Sequence, residues 1–318
     1  MEQEKVLKKN KNFYCGVIFT VLEGLLSGSN FMVLYAVMQM LYRNEIRINT
    51  LLTLTGILAG IYFLRLFVYS FGYTQGQIGG AKVSKNIRLH LGDKIKKIPL
   101  SRFTKGQTGQ YINTITSDVS NYEKVLTHKT GDLAKNISLS VMLIVFVAVI
   151  WFPAGIILLC TDLLLIPAFW FSFRAVKKYG NEKNKICAEN VSSIVEYVTG
   201  IQTFRAYGIG GTKNETVTKA MKDFSDISYI YEAKVIPIGS ILGVLAWCSI
   251  PVVMVAGSGP VLNGELDLIS YLLISMLPLF LAKLETTIFV DLTSYKNLTI
   301  SKRQITSIFK EPEETGSM

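Results

Sequence analysis

Five ionisable residues stand well away from the ends of long apolar runs, where a charge is costly and persists only when it faces a cavity, a partner helix or the polar edge of a bilayer. They are Glu23, Arg65, Asp162, Lys283 and Glu285. Counted from the ends of their runs, Glu23, Arg65, Lys283 and Glu285 fall at similar depth, so opposite charges on different helices could compensate one another in one network. Lys283 and Glu285 are two residues apart and do not share a helix face, which assigns them to different neighbouring helices. The alternative is that Arg65 and Lys283 stretch their long stems to the membrane edge. Asp162 lies nearer the opposite side, with Pro167 shortly after it. A lone carboxyl there is either neutral and capping a turn that the proline loosens, or exposed to a wet cavity.

Other reactive side chains do not assemble into a site. Cys15, Cys160, Cys187 and Cys248 show no C-x-x-C spacing, so they read as packing residues and not as a metal site or a disulfide framework. His90 and His128 have no cysteine or carboxylate at metal-ligand spacing, and read as surface or packing residues. The segment GIGGTKNET lacks the G-x-x-x-x-G-K-[ST] spacing of a phosphate loop and would follow a helix where that loop follows a strand. It reads as a flexible turn. No catalytic residue, no metal ligand and no cofactor is assigned to this chain.

The elements that carry these residues follow from composition. Half of the 318 residues are hydrophobic and only 18% are charged, which is too apolar for an ordinary soluble domain. Runs long enough to cross a bilayer as helices, roughly 20 residues each, occur at about 13–41, 51–72, 133–152, 154–173, 235–257 and 266–290. No secretory signal is apparent, because the apolar stretch after the basic N-terminus is long and lacks a small-residue cleavage site. The connections alternate between very short and about sixty residues. The 33 Lys and Arg concentrate in the N-terminal tail, the two long connections and the C-terminal tail, which places all of these on the cytoplasmic side by the positive-inside tendency. The net charge of +10 is spread between apolar runs and not gathered on a soluble face, so no nucleic-acid partner is implied.

The long connections are patterned as helices. Ile78, Val83, Ile87, Leu91 and Ile95 recur every four or five residues, so the second run continues as a helix out of the membrane until Pro99 ends it. At 1.5 Å per residue, this arm extends on the order of 40 Å. A second helix returns from about 109 to 136, and the arms at 180–196 and 211–234 form a second hairpin. A polar segment, EYVTGIQTFRAYG, lies at its tip.

That tip carries a resemblance. Glu196, Gly200, Ile201, Phe204, Arg205, Ala206 and Tyr207 resemble the E-x-x-x-G-I-x-x-[IVF]-[KR]-[AS]-[FY] run of the second cytoplasmic coupling helix in exporter-fold ABC transporters. In GQYINTITSDV, Gly109, Ile112, Ile115, Asp118 and Val119 are similar to that family's first tip, with Gln110 and Thr114 standing where an acid and a base are usual. The run SKRQITSIFKEPEE resembles the helix end that leads to the nucleotide-binding domain. IPLSRF and VLTHKTGDL resemble the subgroup that imports iron–siderophore complexes of the yersiniabactin and mycobactin type.

The resemblance implies an all-α membrane protein with six transmembrane helices and two long cytoplasmic helical hairpins ending in coupling helices. Residues 1–12 form a cytoplasmic tail, 13–310 the transmembrane domain, and 311–318 the start of a linker toward a nucleotide-binding domain. Asp118, Val119, Glu196, Gly200, Ile201, Phe204, Arg205 and Tyr207 would couple to that domain, with Phe204 and Tyr207 as aromatic anchors. The partners implied are the ATPase domain, fused or separate, a second transmembrane domain as homo- or heterodimer, and the lipid bilayer. ATP and Mg2+ would bind the ATPase domain. The implied location is multi-pass in a bacterial plasma membrane with both termini cytoplasmic, and the implied function is alternating-access transport. Siderophore import is the first reading and export of a peptide, lipid or drug the second. An ATP-independent channel or secondary transporter is disfavoured, since no inverted repeat or pair of broken helices stands out.

Overall fold

A chain crossing lipid must satisfy its own backbone polar groups, which leaves a helix as the local solution for an apolar run. In the computed structural model, which describes residues 6–103, 105–209 and 214–314, each of the six runs is helical, and no strand occurs among the described residues. The first run forms α1 (Lys11–Ser27) and α2 (Ser29–Tyr42). The second is α3 (Ile48–Ile95). The third is built from α4 (Lys105–Asn113), α5 (Val119–Lys124) and α6 (Thr130–Ile150), joined by π-helical turns at Thr114–Asp118 and Val125–Lys129. Then follow α7 (Phe152–Thr199), the short α8 (Ile201–Ala206), α9 (Glu215–Trp247), α10 (Ser249–Leu262) and α11 (Leu268–Phe309).

Local chemistry sets many of the ends. The side chains of Asn10, Asn214 and Asp267 accept from the backbone N–H groups of Phe13, Val217 and Ser270, capping α1, α9 and α11. Ile95 ends α3 three residues before Ile98, whose conformation Pro99 biases away from helical. With 48 residues each, α3 and α7 are about 70 Å long, more than twice the hydrocarbon thickness. The expected arms are therefore present. Two spans are each divided by a single residue. The first is interrupted at Gly28, against which the Met142 side chain packs. The fifth breaks at Cys248 because Pro251 cannot donate to the Trp247 carbonyl one turn earlier.

The core has three parts. Among the arms, Val83, Ile87 and Leu91 of α3 pack with Val119, Tyr122, Leu126 and with Leu298, Ile305 and Ile308 of α11. At the opposite end, Leu143, Val147 and Leu158 meet Val253, Leu273, Ile274 and Leu277. Between them, Leu165, Leu242, Ala246, Ala282 and Phe289 join α7, α9 and α11. Where the arms stand in water, each fully buried aliphatic side chain contributes about 1.5–3 kcal/mol. Within lipid that driving force is absent and close packing replaces it. Gly16 of α1 illustrates the close packing, since a Cβ there would lie 2.6 Å from the backbone nitrogen of Gly76 on α3. Cys160 and Cys248 depart from the packing role read from the sequence, for both lie on exposed helix surface.

Residues 311–314 fold back on the first hairpin. Beyond α11, the Glu314 N–H donates to the Lys97 carbonyl at 2.7 Å, Glu313 pairs with Lys94 at 2.9 Å, and Glu311 lies 3.9 Å from Arg102. The hydrogen bond from Lys94 holds the Glu313 carboxyl below its ordinary range. Lys5 of the basic N-terminal tail, the part of GIGGTKNET at 210–213 and residues 315–318 lie outside the described residues.

Candidate functional site

The charges inside the spans form two groups and not one. Glu23 of α1, whose side chain is 4% exposed, lies 3.1 Å from Arg65 of α3 and 2.7 Å from Lys135 of α6. Arg65 also donates to Ser27 Oγ at 2.8 Å. The guanidinium lies over the Tyr62 ring and the Lys135 ammonium over the Tyr69 ring, so each cation is held between a carboxylate and an aromatic face. One carboxylate thus ties three helices together. Lys135 was missed from the sequence because it sits at the mouth of the third run and was counted with the basic connection. Below the cluster, a cavity of about 140 Å³ is lined by Glu23, Tyr69, Tyr73, His128, Asp132 and Lys135. His128 Nδ1 is 3.2 Å from Gln77 Nε2.

Glu285 does not join this group. It is buried on α11 and interacts with Asp162 of α7, whose Oδ1 is buried without a hydrogen-bond partner. Lys283 is exposed on the other side of α11, as the two-residue spacing required. The structure therefore brings Glu23 to Arg65 and Asp162 to Glu285, and leaves Lys283 apart from both.

In the arms, the residues of the first coupling motif lie inside the hairpin. The chain begins its turn over 96–103, before the motif, and Asp118 and Val119 are buried at 3% and 0% exposure. Asp118 accepts from Ser301 Oγ of α11 at 2.9 Å. These two residues hold α11 against the arm and lie buried within it. Gly109 has an equally local reason. A Cβ there would collide with the Ala188 carbonyl and Ser192 on α7, so its absence lets α4 lie against α7.

The second tip is a separate element. Gly200 ends α7, and α8 follows it at the hairpin end, ahead of α9 in the chain. Phe204 is half-buried, its ring stacked on Tyr197 with centroids 5.5 Å apart. Tyr207 is 77% exposed. Ile201 is half-buried, while Glu196 and Arg205 are exposed. A cavity of about 420 Å³ lies between the two tips, lined by Phe103 and Thr108 on one side and Val195, Glu196, Thr199 and Gly200 on the other. Of the two expected anchors, Tyr207 faces outward while Phe204 fixes α8 on its own hairpin. Among the described residues, no group of three or more His, Cys, Asp or Glu gathers at metal-binding distance.

Six apolar helices of spanning length, four of them prolonged far beyond that length and ending in helical hairpins, define an all-α integral multi-pass membrane protein. A family model described as the ABC transporter transmembrane region matches residues 13–282. The chain belongs to that family, whose members work with a nucleotide-binding domain. No curated protein is a significant match.

Proposed function

We propose that this chain is the permease domain of an ATP-driven transporter that works by alternating access, with its arms on the cytoplasmic side. One observation carries the reading: α8, a short helix with Tyr207 displayed at its end, lies between the two arms of a helical hairpin that run directly into two spans of an ABC transmembrane region. A rigid lever of this kind transmits a push at the tip to α7 and α9 together. The concentration of Lys and Arg on the arm side supports the cytoplasmic assignment. A second transmembrane domain, identical or homologous, would cover the exposed apolar faces and Lys283 and complete the pathway. IPLSRF and VLTHKTGDL favour iron–siderophore import as the transport carried out.

The test supplies an ABC ATPase domain, joined to this chain or co-expressed with it, in nanodiscs. Hydrolysis that rises on assembly and loses its coupling to transport in Tyr207→Ala supports the reading. Robust ATPase activity from this chain alone overturns it.

A further inference from the structure

One cavity differs in sign from the others. The cavities around Glu23 and around Glu189 mix acids with bases. A cavity of about 370 Å³ between α5, α7, α9 and α11 is lined by Lys124, Lys129 and Lys183 and by no carboxylate. It sits just beyond the apolar runs on the arm side, where the helices continuing the last four spans converge. Its floor is apolar, from Val125, Leu298 and Ile300.

The three lysines are not equivalent. Lys129 is compensated from behind by buried Asp291, at 2.9 Å. Lys124 and Lys183 have no carboxylate partner among the described residues. The Lys183 ammonium is held 4.8 Å from the centroid of the Tyr231 ring, which positions it without neutralising it. Asn121 and Asn184 add amide groups at the same wall. Two uncompensated like charges lining one cavity repel each other, and an anion between them lowers that cost. The volume lies in the range of small-molecule sites and exceeds what a lone oxyanion needs.

We propose that this cavity binds the anionic group, phosphate or carboxylate, of a small organic molecule at the arm-side mouth of the translocation path. The assignment to that path rests on the transporter reading above, whereas the binding itself does not. The test uses this chain in phosphatidylcholine nanodiscs, with pyrophosphate and citrate as anionic probes and choline as a cationic control, measured by calorimetry.

Saturable binding of an anion is expected, weakened roughly tenfold or more by Lys124→Gln and again by Lys183→Gln. Lys124→Arg and Lys183→Arg should retain it, and Lys85→Gln, on the α3 arm, should leave it unchanged. Repeating the titration in phosphatidylglycerol nanodiscs separates two sources of the same chemistry. Competition that disappears in the double Gln variant assigns the site to a lipid headgroup phosphate, and undiminished binding assigns it to a soluble anion. No saturable anion binding, equal binding by the double Gln variant, or equal affinity for choline overturns the proposal. Because the ATPase domain is absent from this experiment, such a failure leaves the coupling test untouched, and the reverse holds as well.

Discussion

Glu23→Gln should cost more stability than neutralising either of its cations, and adding Arg65→Gln to it should restore part of the loss. Glu23 holds Arg65 at 3.1 Å and Lys135 at 2.7 Å. At an effective dielectric of about 20, each attraction amounts to about 5–6 kcal/mol before desolvation is subtracted. The side chains of Arg65 and Lys135 remain 19% and 32% exposed, so the net values are much smaller. Removing the shared carboxylate leaves two cations facing each other in a poorly hydrated site, an effect of about 3–4 kcal/mol. Arg65→Gln alone leaves the Glu23–Lys135 pair intact and should cost about 1–2 kcal/mol. In the double variant only Lys135 remains, and its stem reaches toward solvent. The double variant should therefore lie about 1–2 kcal/mol above Glu23→Gln, far from the additive value. Reversible unfolding in mixed micelles, followed by tryptophan fluorescence, reads all three. Additivity within about 0.5 kcal/mol, or a larger effect of Arg65→Gln than of Glu23→Gln, would refute the three-helix tie.

Tyr207→Ala should lower the ratio of transport to hydrolysis about tenfold or more with unfolding unchanged, because Tyr207 touches little of its own chain. Phe204→Ala should also loosen α8, losing the stacking contact on Tyr197, about 0.5–1.5 kcal/mol beyond its area, which faster amide exchange at 201–206 would reveal. The clasp between the C-terminal segment and the first hairpin should weaken with acid and salt. The folded-state pKa of Glu313 lies below its unfolded value, so its contribution is complete above the ordinary glutamate range and is lost as pH falls through the depressed value. Disulfide yield between Lys97→Cys and Glu314→Cys should fall in that window, at high ionic strength, and in Lys94→Glu; a constant yield would contradict the ionic origin.

The spans were legible because length and apolarity suffice to define them, and the α3 arm because Val83, Ile87 and Leu91 repeat at helical spacing and indeed enter the arm core. The burial of the first motif was not legible for an instructive reason. GQYINTITSDV looks polar, yet Tyr111, Ile115, Val119, Tyr122 and Leu126 form a stripe at intervals of three and four that belongs to a buried face, and they pack in that core. Asp118 lies beside this stripe and reaches Ser301, a partner 183 residues away that no local pattern signals. The close contact at Gly28 depends on Met142 across the bundle. The division of the span charges likewise depends on which faces α1, α6, α7 and α11 turn toward one another, and helical spacing alone excludes pairs without selecting them.

The central claim, that α8 is where an ATPase domain pushes on this membrane unit, is tested most directly by site-specific cross-linking. A photoreactive group at Tyr207, with another at the buried Asp118 as reference, is placed in nanodisc-embedded chain assembled with its ATPase domain. The account predicts strong cross-links from position 207 to that domain, changing in yield when ATP is bound and hydrolysed, and none from position 118. Cross-links from 118 that match those from 207, no link from 207 in an assembly that hydrolyses ATP, or labelling of 207 from outside the cell would contradict it.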